Sequence, residues 1–234
     1  MTAGPLALVF DFDGLIIDTE AAEYQSVAEV FAEHGGELDR HRWTSSIGRV
    51  NPQQFWVHWL EEQVGLVNRE AVYAEQRIRN RKLVHRLPIK PGVEDLIAEA
   101  DRRSVPCAVA SASPSNWVLP NLERLGLLSR FVSVVSREQA KRSKPFPDPY
   151  WAALDAVPVP RVQAARCVAF EDSRNGSLAA IAAGLACVAC PHGLTEHMDL
   201  SHATAQVSSL SEVTWSMLED LTATGPGTGT DTRR

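Results

Sequence analysis

The chain has few cysteines and no long apolar run. Cys107 and Cys167 each lie inside an apolar stretch, whereas Cys187 and Cys190 form one Cys-x-x-Cys pair with no second pair to match it. A zinc site or a disulfide framework requires more cysteines at matched spacing, so we expect four buried thiols. No segment reaches the ~18 consecutive apolar residues that span a bilayer, and no basic region leads into an apolar segment at the N-terminus. These absences predict a cytoplasmic protein with no membrane partner.

Positive charge is also scarce. The 23 lysines and arginines are outnumbered by 29 aspartates and glutamates, which gives a net charge of −6. A mildly acidic chain does not attract nucleic acid or an anionic membrane surface, so we expect neither as a partner. A small anionic ligand would therefore need positive charge concentrated at its own site. For the assembly we expect a monomer or a small homo-oligomer.

Short apolar runs alternate with helical segments along most of the chain. Strands are predicted at 6–10, 107–111, 131–135, 166–170 and 186–190, and helices at 92–104, 114–126 and 173–184. Continuously apolar strands indicate burial on both faces, as in a parallel sheet covered by helices. The pattern predicts an α/β fold with a doubly wound, Rossmann-like parallel sheet. A dinucleotide-binding oxidoreductase would need a glycine-rich turn after the first strand, which this sequence lacks.

One long interval interrupts the alternation. Residues 17–88 contain helical periodicity but no convincing strand, and they are too many for a simple crossover. We predict a small helical cap domain at 17–88 inserted into a core formed by 1–16 and 89–222, with a flexible tail at 223–234. The basic run RIRNRKLVHR at 77–86 has two interpretations, contact with an anionic partner or a solvated face of a cap helix, and we favour the solvated face.

Polar residues follow several of the predicted strands. In an open α/β sheet the ligand site lies beyond the carboxyl ends of the strands, and the residues there are Asp11, Asp13, Ser111, Ala112, Ser113, Lys144, Glu171 and Asp172. Several carboxylates at one edge repel one another unless a divalent cation neutralises them, and hard oxygen ligands favour Mg²⁺. Ser113 and Pro114 are predicted as the N-cap and first residue of a helix whose N–H groups can bind an anion. The combination predicts a phosphate site.

The Asp-x-Asp spacing suggests a division of chemical roles. Asp11 would attack the phosphoryl group as a nucleophile, and Asp13 would protonate the leaving oxygen and then activate water. Lys144, Ser111 and Mg²⁺ would hold the phosphoryl oxygens as charge spreads over them. Each of these residues also has an ordinary structural interpretation as a cap or a solvated loop residue, so the prediction depends on their occurring together.

Four ordered segments of the sequence resemble a known family. DFDGLIIDTE (11–20), ASAS (110–113), SKPFPDPY (143–150) and FEDSRNG (170–176) are similar to the four motifs of the haloacid dehalogenase superfamily, in the branch with a helical cap that includes β-phosphoglucomutase and phosphoglycolate phosphatase. The resemblance implies that Asp11 is the nucleophile and Asp13 the acid/base. It also implies phosphate binding by Ser111, Ala112 and Lys144, and metal binding by Asp11 and the Asp13 carbonyl, with Glu171 and Asp172 as further metal ligands or as the immediate support of the ligands.

Three functions remain open at this point. The first is a magnesium-dependent phosphatase acting on a small phosphorylated metabolite through an aspartyl-phosphate intermediate. The second is a phosphosugar mutase like β-phosphoglucomutase; against it, the chain has Glu23 where the mutase has a cap histidine, and Pro114-Ser115 where it has Lys-Asn. Arg49, in a predicted specificity loop, is a candidate for binding the substrate. The third is a noncatalytic phospho-acceptor module, which would not need an inserted lobe or a second acid.

Overall fold

The architecture is a six-stranded parallel sheet. A computed structural model describes the backbone of residues 4–47 and 52–223 and the side chains of 4–47 and 55–223. The strands are β1 (Ala7–Phe10), β2 (Cys107–Ala110), β3 (Ser133–Val135), β4 (Cys167–Glu171), β5 (Ala186–Ala189) and β6 (Ala205–Gln206). Their order in the sheet is β3-β2-β1-β4-β5-β6, and every neighbouring pair is parallel. The α/β prediction is confirmed, and β6 is an edge strand that the sequence did not predict.

The sheet is buried on both faces, as its apolar strands predict. Leu8 and Phe10 of β1 pack into one apolar cluster, while Ala7 and Val9 pack into a second cluster on the other face. This alternation follows from the two-residue period of a strand. All four cysteines are buried and free, as expected.

Five helices accompany the strands of the sheet. They are α5 (Val93–Arg102), α6 (Ser115–Arg124), α7 (Asp148–Asp155), α8 (Arg174–Ala182) and α9 (Trp215–Ala223). The three helices predicted in this region agree with α5, α6 and α8 to within two residues at each end. One detail was wrong: α6 begins at Ser115 with Pro114 at its N-cap, and Ser113 does not cap it.

Between β1 and α5 the described residues form four further helices. They are α1 (Thr19–Glu33), α2 (Arg40–Thr44), α3 (Pro52–Val64) and α4 (Arg69–Val84). These helices share a third apolar cluster that contains Phe31, Trp43, Trp56 and Trp59, and Leu194 from the segment after β5 also belongs to it. The division of the chain at 16/17 and 88/89 stays a prediction. Arg49 and residues 224–234 of the predicted tail lie outside the described residues.

Candidate active site

The candidate site lies at the point where the strand order of the sheet reverses. The chain adds β2 and β3 on one side of β1, and then β4, β5 and β6 on the other side. β1 is flanked by β2 on one side and by β4 on the other, so the segments that leave these three strands meet at one edge. Asp11 follows β1, Ser111 follows β2, and Asp172 follows β4. Such a switch point is the usual position of a ligand site in an open α/β sheet.

Asp11 and Lys144 form a buried ion pair at this edge. The Lys144 ammonium donates to Asp11 Oδ1 at 2.7 Å and to Glu171 Oε1 at 2.5 Å, and the Lys144 side chain is only 5% exposed. Burial alone lowers the pKa of Lys144, but the two carboxylates outweigh it and raise the pKa above its ordinary value. Burial, followed by the Glu171 charge, raises the pKa of Asp11 to about 7 even though Lys144 opposes the shift. The site therefore has a permanent cation next to an acid that burial makes costly to ionise.

Glu171 is held by neutral donors as well as by Lys144. Tyr150 donates its hydroxyl to Glu171 Oε1 at 2.6 Å, and Ser173 donates to Oε2 at 3.2 Å. Gly176, in the first turn of α8, lies so close to this carboxylate that a Cβ atom there would overlap it. Sequence reasoning missed the role of Tyr150, although this residue ends the segment SKPFPDPY, and that position was the available signal.

Three buried carboxylates converge at this edge. Asp11, Glu171 and Asp172 each offer one oxygen, and these three atoms lie within 4.8 Å of one another. Burial, then Asp11 and Glu171, raise the pKa of Asp172 well above its ordinary value. Gly14 has a φ of +78° and no side chain, and a Cβ there would overlap Asp172. A hard divalent cation fits this donor set, because Lys144 alone cannot balance three carboxylates.

Asp13 is directed to a different environment from Asp11. Its two carboxylate oxygens accept hydrogen bonds from the Ser113 hydroxyl at 2.6 Å and from the Trp117 indole N–H at 2.9 Å. The bond to Asp13 explains why Ser113 does not cap α6. The backbone N–H of Ser115 donates instead to the Glu138 carboxylate at 3.0 Å. Sequence reasoning did not anticipate Trp117, because no motif contains it.

The predicted phosphate binders after β2 are present at the same edge. Ser111 is 1% exposed, and its hydroxyl accepts a hydrogen bond from the Ser113 N–H at 3.0 Å. The Ala112 carbonyl accepts one from the Arg137 guanidinium at 3.0 Å. The structure thus brings together the side chains of Asp11, Lys144, Glu171 and Asp172, with Ser111 at the adjacent strand end.

A cleft of about 730 Å³ opens between the inserted helices and α6. Asp13, Ser113 and Trp117 line one side, and the other side is lined by residues of α1 and α4: Glu20, Glu23, Gln76, Arg77, Asn80, Arg81 and Val84. Burial raises the pKa of Glu20 to about 8 with Glu23 as the next cause, and burial followed by Asp13 raises the pKa of Glu23 to about 7. Acidic side chains therefore face one another across the cleft, with Asp13 on one side and Glu20 and Glu23 on the other.

The basic run of α4 divides between two environments. Arg79 pairs with Glu29, Glu33 and Glu75 away from the cleft. Arg77 and Arg81 are exposed and line the cleft. The interpretation of residues 77–86 as a solvated face agrees with the exposure of Arg77 and Arg81. It did not predict that these two arginines line the cleft, because their position depends on how α4 packs beside the sheet.

Comparisons with known proteins agree with this geometry. Residues 8–190 match the family model described as haloacid dehalogenase-like hydrolase. The chain belongs to the haloacid dehalogenase-like hydrolase family. It is 35% identical over 215 residues to "Putative phosphatase YhcW" of Bacillus subtilis (strain 168), covering 92% of this chain and 96% of that protein. It is 29% identical over 182 residues to "Phosphorylated carbohydrates phosphatase" of Thermotoga maritima, covering 76% and 82% of the two chains.

A solved haloacid dehalogenase-like structure has the same fold. The crystal structure of CbbY from Rhodobacter sphaeroides in complex with phosphate superposes with a TM-score of 0.69 at 29% identity, over 89% of this chain and 96% of that chain. The predicted family and the predicted enzyme class, a phosphatase of the haloacid dehalogenase-like family, are confirmed. No helix within residues 4–47 and 52–223 is long and apolar enough to cross a membrane.

Proposed function

We propose that the chain is a magnesium-dependent phosphatase that hydrolyses a small phosphorylated metabolite through a phosphoaspartate on Asp11. One observation carries the proposal: the buried Asp11 carboxylate contacts the Lys144 ammonium at 2.7 Å, at the strand edge where Asp13 faces a cleft. A carboxylate beside a fixed cation is suited to attack phosphorus, because the cation can hold the phosphoryl oxygens as their charge develops.

In the first step Asp11 attacks phosphorus and the bond from phosphorus to the leaving oxygen breaks. Asp13, protonated, gives its proton to that oxygen. Lys144 and the Ser111 hydroxyl hold the phosphoryl oxygens, and Glu171 keeps Lys144 in position through the 2.5 Å hydrogen bond. In the second step Asp13 takes a proton from water, the water oxygen bonds to phosphorus, and the Asp11 carboxylate is released.

The buried carboxylates are the groups that would hold the metal. Asp11 and Asp172 are assigned as side-chain ligands together with the Asp13 carbonyl, and Glu171 supports them because its Oε1 already accepts from Lys144 and Tyr150. Bound Mg²⁺ would supply positive charge that favours ionised carboxylates and neutralises the phosphoryl oxygens. Carboxylate oxygens in this number suit magnesium better than softer metals.

The cleft favours a polar, hydroxylated metabolite as substrate. Glu20, Glu23, Asn116 and Asn121 line it and can hydrogen-bond to hydroxyl groups. The similarity to a protein named as a phosphatase of phosphorylated carbohydrates supports the same substrate class. Arg49, which the sequence suggested for substrate binding, remains a candidate.

The test is release of phosphate from 4-nitrophenyl phosphate and from a panel of phosphorylated sugars and polyols. We expect activity that requires Mg²⁺ and disappears with chelator. Asp11→Asn should leave the protein folded and lower turnover by more than about a hundredfold, because a neutral amide cannot attack phosphorus. Retention of turnover above that level in the variant would overturn the assignment of the nucleophile.

A phosphosugar mutase is the second candidate, and one observation favours it. Such an enzyme holds a second phosphate on the cap side, which requires positive charge there. The sequence offered only Arg49 for this purpose, whereas the structure places Arg77 and Arg81 in the cleft as well. Glu23 still lies in the cleft where the mutase has histidine. We therefore expect glucose 1-phosphate to yield free phosphate without a sugar bisphosphate activator. Rapid isomerisation to glucose 6-phosphate with little phosphate release would instead establish the mutase.

A further inference from the structure

The Asp13 carboxylate is held at both of its oxygens by residues that come from a distant part of the chain. Trp117 Nε1 donates to Oδ1 at 2.9 Å across 104 positions, and Ser113 Oγ donates to Oδ2 at 2.6 Å across 100 positions. All three residues line the cleft. The acid that faces the cleft is therefore oriented by the segment after β2 and not by its own loop.

The two donors differ in rigidity. The Trp117 ring packs half-buried against the apolar cluster that contains Phe10, and its backbone N–H donates to the Pro114 carbonyl at 2.9 Å in the first turn of α6. A side chain fixed by packing and by a helix loses little further freedom when it makes a hydrogen bond. The Ser113 hydroxyl, by contrast, can rotate.

The two donors also differ in chemistry. An indole N–H can only donate, whereas a hydroxyl can donate or accept. Asp13 Oδ1 must therefore remain an acceptor as long as it contacts Trp117, and any proton on Asp13 must be carried by Oδ2. Ser113 can pair with Oδ2 in either state.

We propose that Trp117 is a positioning residue that fixes Asp13 so that Oδ2 is the oxygen that gives a proton to the leaving group and later takes one from water. This inference rests on the proposed function, since it assigns atoms to the acid/base step of that reaction. As the bond from phosphorus to the leaving oxygen breaks, Oδ2 passes its proton to that oxygen. As water attacks the phosphoaspartate, Oδ2 receives the water proton and the bond from Asp11 to phosphorus breaks.

The experiment compares two aryl esters that fit the cleft alike but differ in leaving group. Phenyl phosphate needs protonation of its leaving oxygen more than 4-nitrophenyl phosphate does. We expect Trp117→Phe to lower kcat/KM for phenyl phosphate by about ten- to a hundredfold and to change kcat/KM for 4-nitrophenyl phosphate by only a few-fold. Because water activation is also impaired, 4-nitrophenolate should appear in a burst followed by slow turnover.

Two further measurements separate positioning from loss of stability. Trp215→Phe is the matched control, because Trp215 packs half-buried against the same cluster and does not line the cleft. We expect Trp215→Phe to leave kcat/KM for both esters unchanged. In an Asp13→Asn background, Trp117→Phe should cause no additional loss, since residues that act through one group are not additive. Ser113→Ala should lower kcat/KM for phenyl phosphate less than Trp117→Phe does, because the Trp117 indole still fixes the Asp13 carboxylate.

The outcomes distinguish this inference from the proposed function. If Asp11→Asn keeps wild-type turnover, the proposed function and the positioning role of Trp117 are both overturned. If Asp11→Asn abolishes turnover but Trp117→Phe matches Trp215→Phe on both esters, the positioning role alone is overturned. The positioning role is overturned in the same way if the losses of Trp117→Phe and Asp13→Asn multiply in the double variant.

Discussion

Replacing Gly176 by alanine tests whether the Glu171 carboxylate must stay where it is. Gly176 lies in the first turn of α8, and a Cβ atom there would overlap the carboxylate carbon and both oxygens of Glu171. The carboxylate cannot move aside freely, because it accepts hydrogen bonds from Lys144 at 2.5 Å, Tyr150 at 2.6 Å and Ser173 at 3.2 Å. The new methyl group must therefore break some of these contacts.

The cost can be worked out from the contacts that are lost. Hydrogen bonds to a charged group contribute about 1.5–3 kcal/mol each, and replacing glycine by alanine inside a helix returns about 1 kcal/mol. With two of the three bonds lost, we expect the free energy of unfolding to fall by about 3 kcal/mol. For a chain of this size that corresponds to a decrease in Tm of roughly 6–12 °C.

The assay is thermal or urea unfolding together with phosphatase activity, and Gly126→Ala is the control. Gly126 has a φ of +71° and no atom within 4 Å of its would-be Cβ, so its substitution carries backbone strain of about 1–2 kcal/mol without any clash. Only Gly176→Ala should also lose activity, because Lys144 loses its second anchor. A Gly176→Ala protein as stable and as active as the wild type would refute the inference that Glu171 is fixed in place.

Three further predictions concern the charged groups of the site. Asp13→Asn should slow hydrolysis of the phosphoenzyme, so that phosphate on Asp11 becomes detectable by mass spectrometry with 4-nitrophenyl phosphate; rapid turnover with no trapped species would remove the base role from Asp13. Lys144→Met leaves the buried Asp11 and Glu171 carboxylates without their cation, so the free energy of unfolding measured without metal should fall by about 3–5 kcal/mol. Mg²⁺ should recover part of this loss and so stabilise the variant more than the wild type. Equal stabilisation of the two proteins by Mg²⁺ would contradict this prediction. Without divalent cations, the stability of the wild type should fall as pH rises from about 4 to 7, because burial and Glu171 raise the pKa of Asp11 from 3.8 to about 7 and the proton that folding favours is then lost. Mg²⁺ should flatten that dependence, and a slope that Mg²⁺ leaves unchanged would argue against a cation on Asp11.

Local sequence patterns were sufficient for the sheet and for the edge at which the site forms. An apolar run such as ALVF at Ala7–Phe10 specifies a strand buried on both faces, and the polar residues that follow it mark the strand end. β6, with two residues, is too short to leave a periodic signal. The Ser113 side chain was misassigned because serine caps helices and binds carboxylates with the same hydroxyl, and only the distant Asp13 decides between these partners.

Contacts between distant segments account for what the sequence did not predict. The bond between Trp117 and Asp13 joins residues 104 positions apart, and Tyr150 reaches Glu171 across 21. Arg77 and Arg81 look like other solvated arginines in the sequence, and their place at the cleft follows only from the packing of α4 beside the sheet. Periodicity reports which face of an element is buried but not which partner covers it.

The proposed division of roles between Asp11 and Asp13 depends on the different surroundings of the two side chains. In a regular strand two residues at this spacing would point the same way and meet the same surroundings. Here the strand ends at Phe10, and Gly14 with its positive φ turns the chain directly after Asp13. Asp11 is left against the Lys144 ammonium, while Asp13 faces the cleft between neutral donors. Under the proposed function, a carboxylate fixed beside a cation is suited to attack, and one held by neutral donors at the cleft is placed to exchange a proton with the substrate or with water. The same type of side chain would then serve two functions because its surroundings differ.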